Sequence, residues 1–172
     1  MDATSRDGHR QFDFLHGHWA VLNEKLENPL DHDSTTWFRF DSIVTVTPIL
    51  GGFGNYDRYS APEFPGRPGF EAFALRLYDP GRDVWRIWWA STSGGGDLDT
   101  PVVGRFSGDR GVFECDDVFE GRHVRIRFDW RIVAEGSARW QQSFSFDDGR
   151  NYAPNWVMHW RRASDAQPVT RP

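Results

Sequence analysis

Hydrophobic and polar residues alternate with a period of two along much of the chain. In the clearest stretch, 123–133, the even positions from Val124 to Ile132 are apolar and the odd positions are mostly polar. This pattern is typical of a β-strand with one buried and one solvated face. Similar segments follow one another along the chain, and no helical stripe competes with them. The ten predicted strands are 18–26, 36–47, 55–60, 70–78, 84–90, 102–107, 112–119, 123–133, 138–147 and 152–162.

Short connections rich in Gly and Asp join most of these strands, for example Asp79-Pro80-Gly81 and Asp147-Asp148-Gly149. Such turns favour hairpins, so that successive strands are antiparallel neighbours. We therefore predict an all-β fold, a single antiparallel up-and-down barrel of about eight to ten strands, because closure removes exposed sheet edges. A two-sheet sandwich is the alternative. The barrel domain is expected over 12–163, between a flexible N-terminus, 1–11, and a flexible tail, 164–172.

The composition favours a single folded domain and argues against a nucleic-acid-binding or membrane protein. The 172 residues suit one domain, and 38% hydrophobic residues with 16% aromatics are enough to form a core. A net charge of -5 argues against attraction to nucleic acid or an anionic membrane. A mean hydropathy of -0.64 and the lack of a long apolar stretch or signal sequence favour the cytoplasm. One cysteine, Cys115, excludes an intramolecular disulfide.

The N-terminal segment 12–19, Phe-Asp-Phe-Leu-His-Gly-His-Trp, predicts a short helical turn that leads into a first strand with a Gly-x-Trp motif. This motif resembles the entry to the barrel in calycins, the superfamily of lipocalins and fatty-acid-binding proteins. The resemblance implies that Trp19 closes one end of the barrel and is covered by an arginine of the last strand. Arg162 is the first candidate and Arg161 the second.

A wider resemblance, over 12–162, is to an uncharacterised calycin-like bacterial family. The matching stretches are 12–19, 50–57, 75–80, 101–106, 124–130 and 155–158. The chain departs from that family's pattern where acidic residues are expected, at Arg58, Gln141 and His159.

Aromatic and polar side chains share the predicted inner face. Trp130, Trp140 and Trp156 can form flat walls for an apolar ligand, although they can equally fill a solid core. Gln142 and Asp117 have the same inward parity, as does Cys115. Buried polar groups need partners, which are either internal or part of a ligand. We therefore predict that the three tryptophans, Gln142 and Asp117 bind a small apolar or aromatic molecule.

Asn55 is added to this ligand-binding set because it alternates with Asp57 and Tyr59 after a glycine-rich turn, where it can border an opening. A cavity enzyme of isomerase or cyclase type is the alternative, with Asp117 and Asp57 as acid or base. A haem barrel with His159 as axial ligand is a further alternative, although parity places His159 on the outer face.

No metal site is predicted, since His16 and His18 have no third ligand at a recognisable spacing. No cofactor is expected apart from the haem alternative. The expected partner is the small ligand, with no nucleic acid and no membrane. The sequence leaves open whether the chain forms a homodimer.

Overall fold

A computed structural model describes residues 7–163 and shows ten antiparallel strands. The strands are β1 (Gly17–Leu26), β2 (Trp37–Ile49), β3 (Gly54–Ala61), β4 (Phe70–Asp79), β5 (Val84–Ser91), β6 (Val102–Ser107), β7 (Arg110–Phe119), β8 (Arg122–Ala134), β9 (Ser137–Ser145) and β10 (Ala153–Arg162). Each lies within two residues of its predicted bounds, because alternation and turn residues mark both ends.

The strands close into one barrel in the order β1-β10-β9-β8-β7-β6-β5-β4-β3-β2. Every strand pairs with its neighbours in sequence, and β1 completes the ring by pairing with both β2 and β10. The prediction of an all-β up-and-down barrel is confirmed. The sandwich alternative is wrong, because pairing of β1 with β10 leaves a single continuous sheet.

The N-terminal segment covers one end of the barrel. Two 3₁₀ turns, Gly8–Arg10 and Asp13–Leu15, place Phe12 and Leu15 against the core with no exposed surface. The Phe12 ring packs between four aromatic rings at this end. They are Trp85, Phe106, Phe113 and Trp130, with centroid distances of 5.0 to 6.1 Å. We call residues 8–16 the plug and the end that they cover the plugged end.

Polar contacts also attach the plug to the strands. The Gln11 side chain exchanges two hydrogen bonds with the backbone of Phe106, and Trp85 Nε1 donates to the Gly8 carbonyl at 2.9 Å. The segment 1–11 was expected to be flexible, but its residues 8–11 pack on the barrel. Residues 1–6 and the predicted tail 164–172 lie outside the described residues.

Glycine permits the close packing around Phe12. A Cβ atom at Gly111 would lie only 2.8 Å from the Phe106 ring, which itself contacts Phe12 edge-on. Any larger residue at position 111 would therefore displace this ring from the plugged end.

Trp19 is 1% exposed, and its Nε1 donates to the Leu15 carbonyl at 2.7 Å. The Arg162 guanidinium lies 4.1 Å from the centroid of the Trp19 ring and also donates to the carbonyls of Phe14 and His16. Arg162, rather than Arg161, thus covers this tryptophan. The contact combines a cation–π attraction with hydrogen bonds that hold the plug.

At the opposite end the β1–β2 connection lies over part of the barrel, where the Leu30 carbonyl accepts a hydrogen bond from Arg122 and the His32 ring packs against Phe146. The long β5–β6 connection and the β3–β4 loop border the opening that remains into the interior, which we call the mouth. Within the described residues, no helix is long and apolar enough to cross a membrane.

Candidate functional site

A cavity of about 320 Å³ lies inside the barrel at the mouth. Inward positions of seven strands line it, and five of these strands contribute aromatic side chains. The aromatic lining residues are Trp89, Phe119, Phe128, Trp140, Phe144 and Trp156. The barrel is therefore not filled solid at this end.

Four of the rings form three edge-to-face contacts. Trp156 contacts Trp140 at 5.8 Å and Trp89 at 6.0 Å between centroids, and Phe128 contacts Trp140 at 4.9 Å. Such contacts between rings stabilise their mutual orientation. The cavity thus has rigid aromatic walls.

A buried amide fixes the orientation of Trp156. Asn23, with no exposed surface, accepts hydrogen bonds at Oδ1 from Trp156 Nε1 at 3.1 Å and from the Tyr59 hydroxyl at 2.9 Å. Its Nδ2 donates to the Ser42 hydroxyl at 2.8 Å. Burial raises the pKa of Tyr59, so this phenol stays a neutral donor.

Gln142 lines the cavity, and its Nε2 donates to Asn155 Oδ1 at 2.8 Å. Asn155 has the same parity as His159, which predicts the outer face, but it is only 2% exposed. The β9–β10 pairing shifts register between Pro154 and Trp156, and this irregularity breaks the alternation at Asn155.

Charged side chains of both signs border the mouth. Lys25 and Arg67 line one part of the cavity, and Asp99 and Asp117 line another. Burial and then the charge of Asp117 raise the pKa of Asp99. Burial and then the charge of Arg67 lower the pKa of Lys25 to about 8. The rim therefore holds two groups whose pKa values differ from those of free side chains.

The predicted ligand-binding residues divide between two places. Asp117, Trp140, Gln142 and Trp156 line the cavity at the mouth. Trp130 lies deeper, where it lines a narrow space of about 30 Å³ that continues inward and has room for about one water.

A buried ion pair faces this deeper space. Arg76 Nη2 donates to Asp57 Oδ2 at 2.6 Å, and Arg76 Nη1 donates to Asn55 Oδ1 at 3.0 Å. All three residues are at most 3% exposed. Asn55 thus lies beside Arg76, and it borders neither the mouth nor its cavity, contrary to the expectation. Asp57 is occupied by Arg76 and by the Ala74 amide, so it does not suit the proposed role of acid or base.

The remaining sequence candidates lie elsewhere. His159 lies on the outer face of β10, and its Nε2 is 3.1 Å from a carboxylate oxygen of Glu24. This position does not fit an axial haem ligand within the barrel. Cys115 is partly buried, and burial raises the pKa of its thiol to about 12. Among residues 7–163, no group of three or more His, Cys, Asp or Glu side chains could hold a metal ion.

Larger depressions of about 850 and 980 Å³ lie on the outside of the sheet and open widely to solvent. Their lining includes outward-facing residues of β2 such as Ile43 and Thr45. The smaller inner cavity is the better candidate site, because it is concave and combines apolar walls with a few polar groups.

Sequence reasoning missed Lys25, Arg67, Asp99, Arg76 and Asn23. A signal was available for three of them, because Lys25 and Asn23 share the inward parity of Trp19 and Val21, and Arg76 shares that of Ala74. No comparable signal exists for Arg67 and Asp99, which lie in irregular connections.

No protein-family model matches the chain, and no curated protein matches it in sequence. Among solved structures, the barrel is similar to the crystal structure of Rv2717c from M. tuberculosis, with a TM-score of 0.57 and 13% sequence identity. The match covers 92% of this chain and 99% of that chain. At this identity the similarity concerns the fold alone.

Proposed function

We propose that the protein binds a small, largely apolar or aromatic molecule in the cavity at the mouth. The observation that supports this proposal is the cavity of about 320 Å³ with six aromatic side chains in its wall. Ligand pockets of roughly 300 to 1,000 Å³ with few polar groups are usual for small molecules. The volume lies at the lower end of that range and favours a compact ligand.

The walls are ordered before a ligand arrives. Trp156 is held by Asn23, and Trp140 is held between Trp156 and Phe128. Rings that are already fixed lose little rotational freedom on binding, which improves affinity. Gln142 and Asp117 would orient the polar part of the ligand.

The test is a titration with 2-naphthylmethanol, followed by tryptophan fluorescence. We expect saturable quenching, and we expect Trp140→Ala to weaken binding about fivefold, since one aromatic contact contributes on the order of 1 kcal/mol. Trp88→Ala is the matched control, because Trp88 neighbours Trp89 in β5 but does not line the cavity. Quenching that does not saturate, or equal weakening by both variants, would contradict the proposal.

A cavity enzyme is the second candidate, favoured by the two carboxyl groups at the rim. Burial and then the charge of Asp117 raise the pKa of Asp99, so Asp99 keeps its proton to a higher pH than a free carboxyl group does. With Asp57 paired to Arg76, the catalytic role would fall to Asp117. Asp117→Asn should then retain binding of 2-naphthylmethanol and lose turnover of a substrate, whereas a binding protein has no turnover to lose.

We also propose membership of the calycin-like group. Support comes from the closed antiparallel barrel, from the plug that precedes β1, and from Arg162 stacked on Trp19 of the Gly-x-Trp motif. A sequence alignment with lipocalins that placed another residue at Trp19 would argue against this membership.

A further inference from the structure

Lys25 is the sole lysine among the 172 residues, while 19 arginines supply every other basic side chain. It follows Trp19, Val21 and Asn23 on the inner face of β1 and reaches the rim of the cavity. Lysine and arginine differ in chemistry, since an amine can lose its proton in a protein and then act as a nucleophile, whereas a guanidinium keeps its charge.

The surroundings of Lys25 disfavour its charged form. Burial has the largest effect on the pKa of Lys25, and no carboxylate among residues 7–163 contributes to its shift. Nζ lies 4.2 Å from the centroid of the Trp156 ring, a cation–π contact that acts in the opposite direction. The other charged groups that line the cavity are Arg67, Asp99 and Asp117. Arg67 adds a like charge, so burial and repulsion act in the same direction. A lysine that is desolvated and lies near a second cation is a known type of activated amine.

We propose that Lys25 captures the carbonyl group of a compact aromatic or apolar aldehyde or ketone as an imine, an inference that rests on the proposed ligand-binding function. The neutral amine of Lys25 attacks the carbonyl carbon and forms the C–N bond. The carbonyl oxygen takes up a proton as the nitrogen releases one. The resulting carbinolamine then loses one water, and the C=N bond forms. The step needs no oxidant or reductant.

The cavity suits this reaction in two ways. The apolar body of the ligand would lie against Trp140 and Trp156, which brings its carbonyl group to the rim beside Nζ. A pKa of about 8 raises the neutral fraction of the amine at pH 7. Compared with an ordinary lysine, the increase is on the order of a hundredfold.

The experiment uses the whole chain with 2-naphthaldehyde and sodium cyanoborohydride, which reduces an imine to a stable amine. Mass spectrometry of peptides compares adducts at Lys25 with those at the N-terminal amine, the other amine in the chain. The N-terminal amine is a suitable internal reference, because the ordinary pKa of such an amine is close to the pKa of about 8 at Lys25. We expect Lys25 to react at least about tenfold faster, because the cavity holds the aldehyde beside it. An excess of 2-naphthylmethanol should slow the reaction at Lys25 and leave the N-terminal reaction unchanged.

Two variants at the same position separate charge from nucleophilicity. Lys25→Arg keeps the positive charge but not the nucleophilic amine, so it should form the adduct only at the N-terminus. The affinities of 2-naphthoate and 2-naphthaldehyde are compared in both variants. The proposal is overturned if 2-naphthoate binds more tightly and if this preference is lost in Lys25→Met but kept in Lys25→Arg. The site would then recognise an anion through the charge of Lys25.

Equal reaction rates at the two amines, or a rate at Lys25 that 2-naphthylmethanol does not change, would also overturn imine capture. The proposed ligand-binding function is tested by a separate measurement. That proposal is contradicted only if 2-naphthylmethanol gives no saturable quenching in the unmodified protein. Quenching without fast reaction at Lys25 would leave the cavity as a non-covalent binding site.

Discussion

At the scale of single residues, two buried tryptophans each donate one hydrogen bond but have different structural roles. Trp19 donates to Leu15 and stacks with Arg162 at the plugged end, so it joins the plug to the barrel. Trp156 donates to Asn23 and presents its ring to the cavity, so it shapes the site. In both cases one hydrogen bond satisfies the indole N–H and thereby fixes the ring.

Trp19→Ala should reduce the free energy of unfolding by about 3 to 5 kcal/mol, the range for removal of a large buried aromatic side chain. The indole is 1% exposed, so its loss leaves a cavity beside Trp160. Urea unfolding monitored by circular dichroism measures the change. Trp37→Ala is the control, because Trp37 is 43% exposed, and we expect a change below about 0.5 kcal/mol there. Similar losses in the two variants would contradict this role of Trp19.

The site residues that the sequence predicted are found in the cavity where alternation alone determines which side chains point inward. Trp140, Gln142 and Trp156 line the cavity because they lie on inward positions of regular strands. Alternation cannot rank the inward positions by depth, and for this reason Asn55 was expected at an opening although it lies beside Arg76.

At the scale of elements, the β9–β10 hairpin contains both the irregularity at Asn155 and a well-defined turn. The Asp147 carboxylate accepts hydrogen bonds from the Asn151 side chain at 2.7 Å, from the Asn151 amide at 2.8 Å and from the Ser145 hydroxyl at 2.8 Å. These bonds, led by that from the Asn151 side chain, lower the pKa of Asp147 to about 2. The turn thus connects the two strands from which Gln142 and Trp156 face the cavity.

The stabilisation from Asp147 should depend on pH in a defined direction. Its folded pKa lies below the ordinary value, so the contribution is present above about pH 4 and is lost as the pH falls toward 2. Asp147→Asn should therefore lower the melting temperature at pH 7, and the difference from the unmodified protein should shrink at pH 2. Calorimetry at the two pH values tests this. Asp148→Asn, which changes the neighbouring exposed carboxylate, should have little effect at either pH.

Strand positions were predictable because a period of two and turn residues are local signals. The irregularity at Asn155 was not predictable, because a β-bulge depends on the pairing with the neighbouring strand, which is not a local signal. Likewise, the plug has no periodic pattern, and only the packing of Phe12 among four rings shows why that segment has a fixed place.

At the scale of the whole molecule, the barrel separates stability from binding. The plugged end contains the most deeply buried aromatic residues, such as Phe12, Trp19 and Phe113. The mouth contains the cavity, the charged rim and the loops. A closed sheet lets the two ends differ in this way, because every strand contributes residues to both.

Phe12→Ala should cost about 3 to 5 kcal/mol of stability, as for other buried phenylalanines. The dissociation constant of 2-naphthylmethanol should stay within about twofold, because Phe12 does not line the cavity at the mouth. Denaturant unfolding and fluorescence titration give the two values. Val133→Ala, at a residue 64% exposed, serves as the control for stability. A large loss of affinity in Phe12→Ala would show that the two ends are coupled.

The pairing of Trp19 with Arg162 has a practical consequence for handling the molecule. The described chain enters β1 and leaves β10 on the same side, the one remote from the mouth. A molecule attached to a sensor chip or a bead through the start of β1 or the end of β10 therefore points its opening toward the solution. A fluorescent label joined at these two places is likewise kept away from the path by which a small molecule enters.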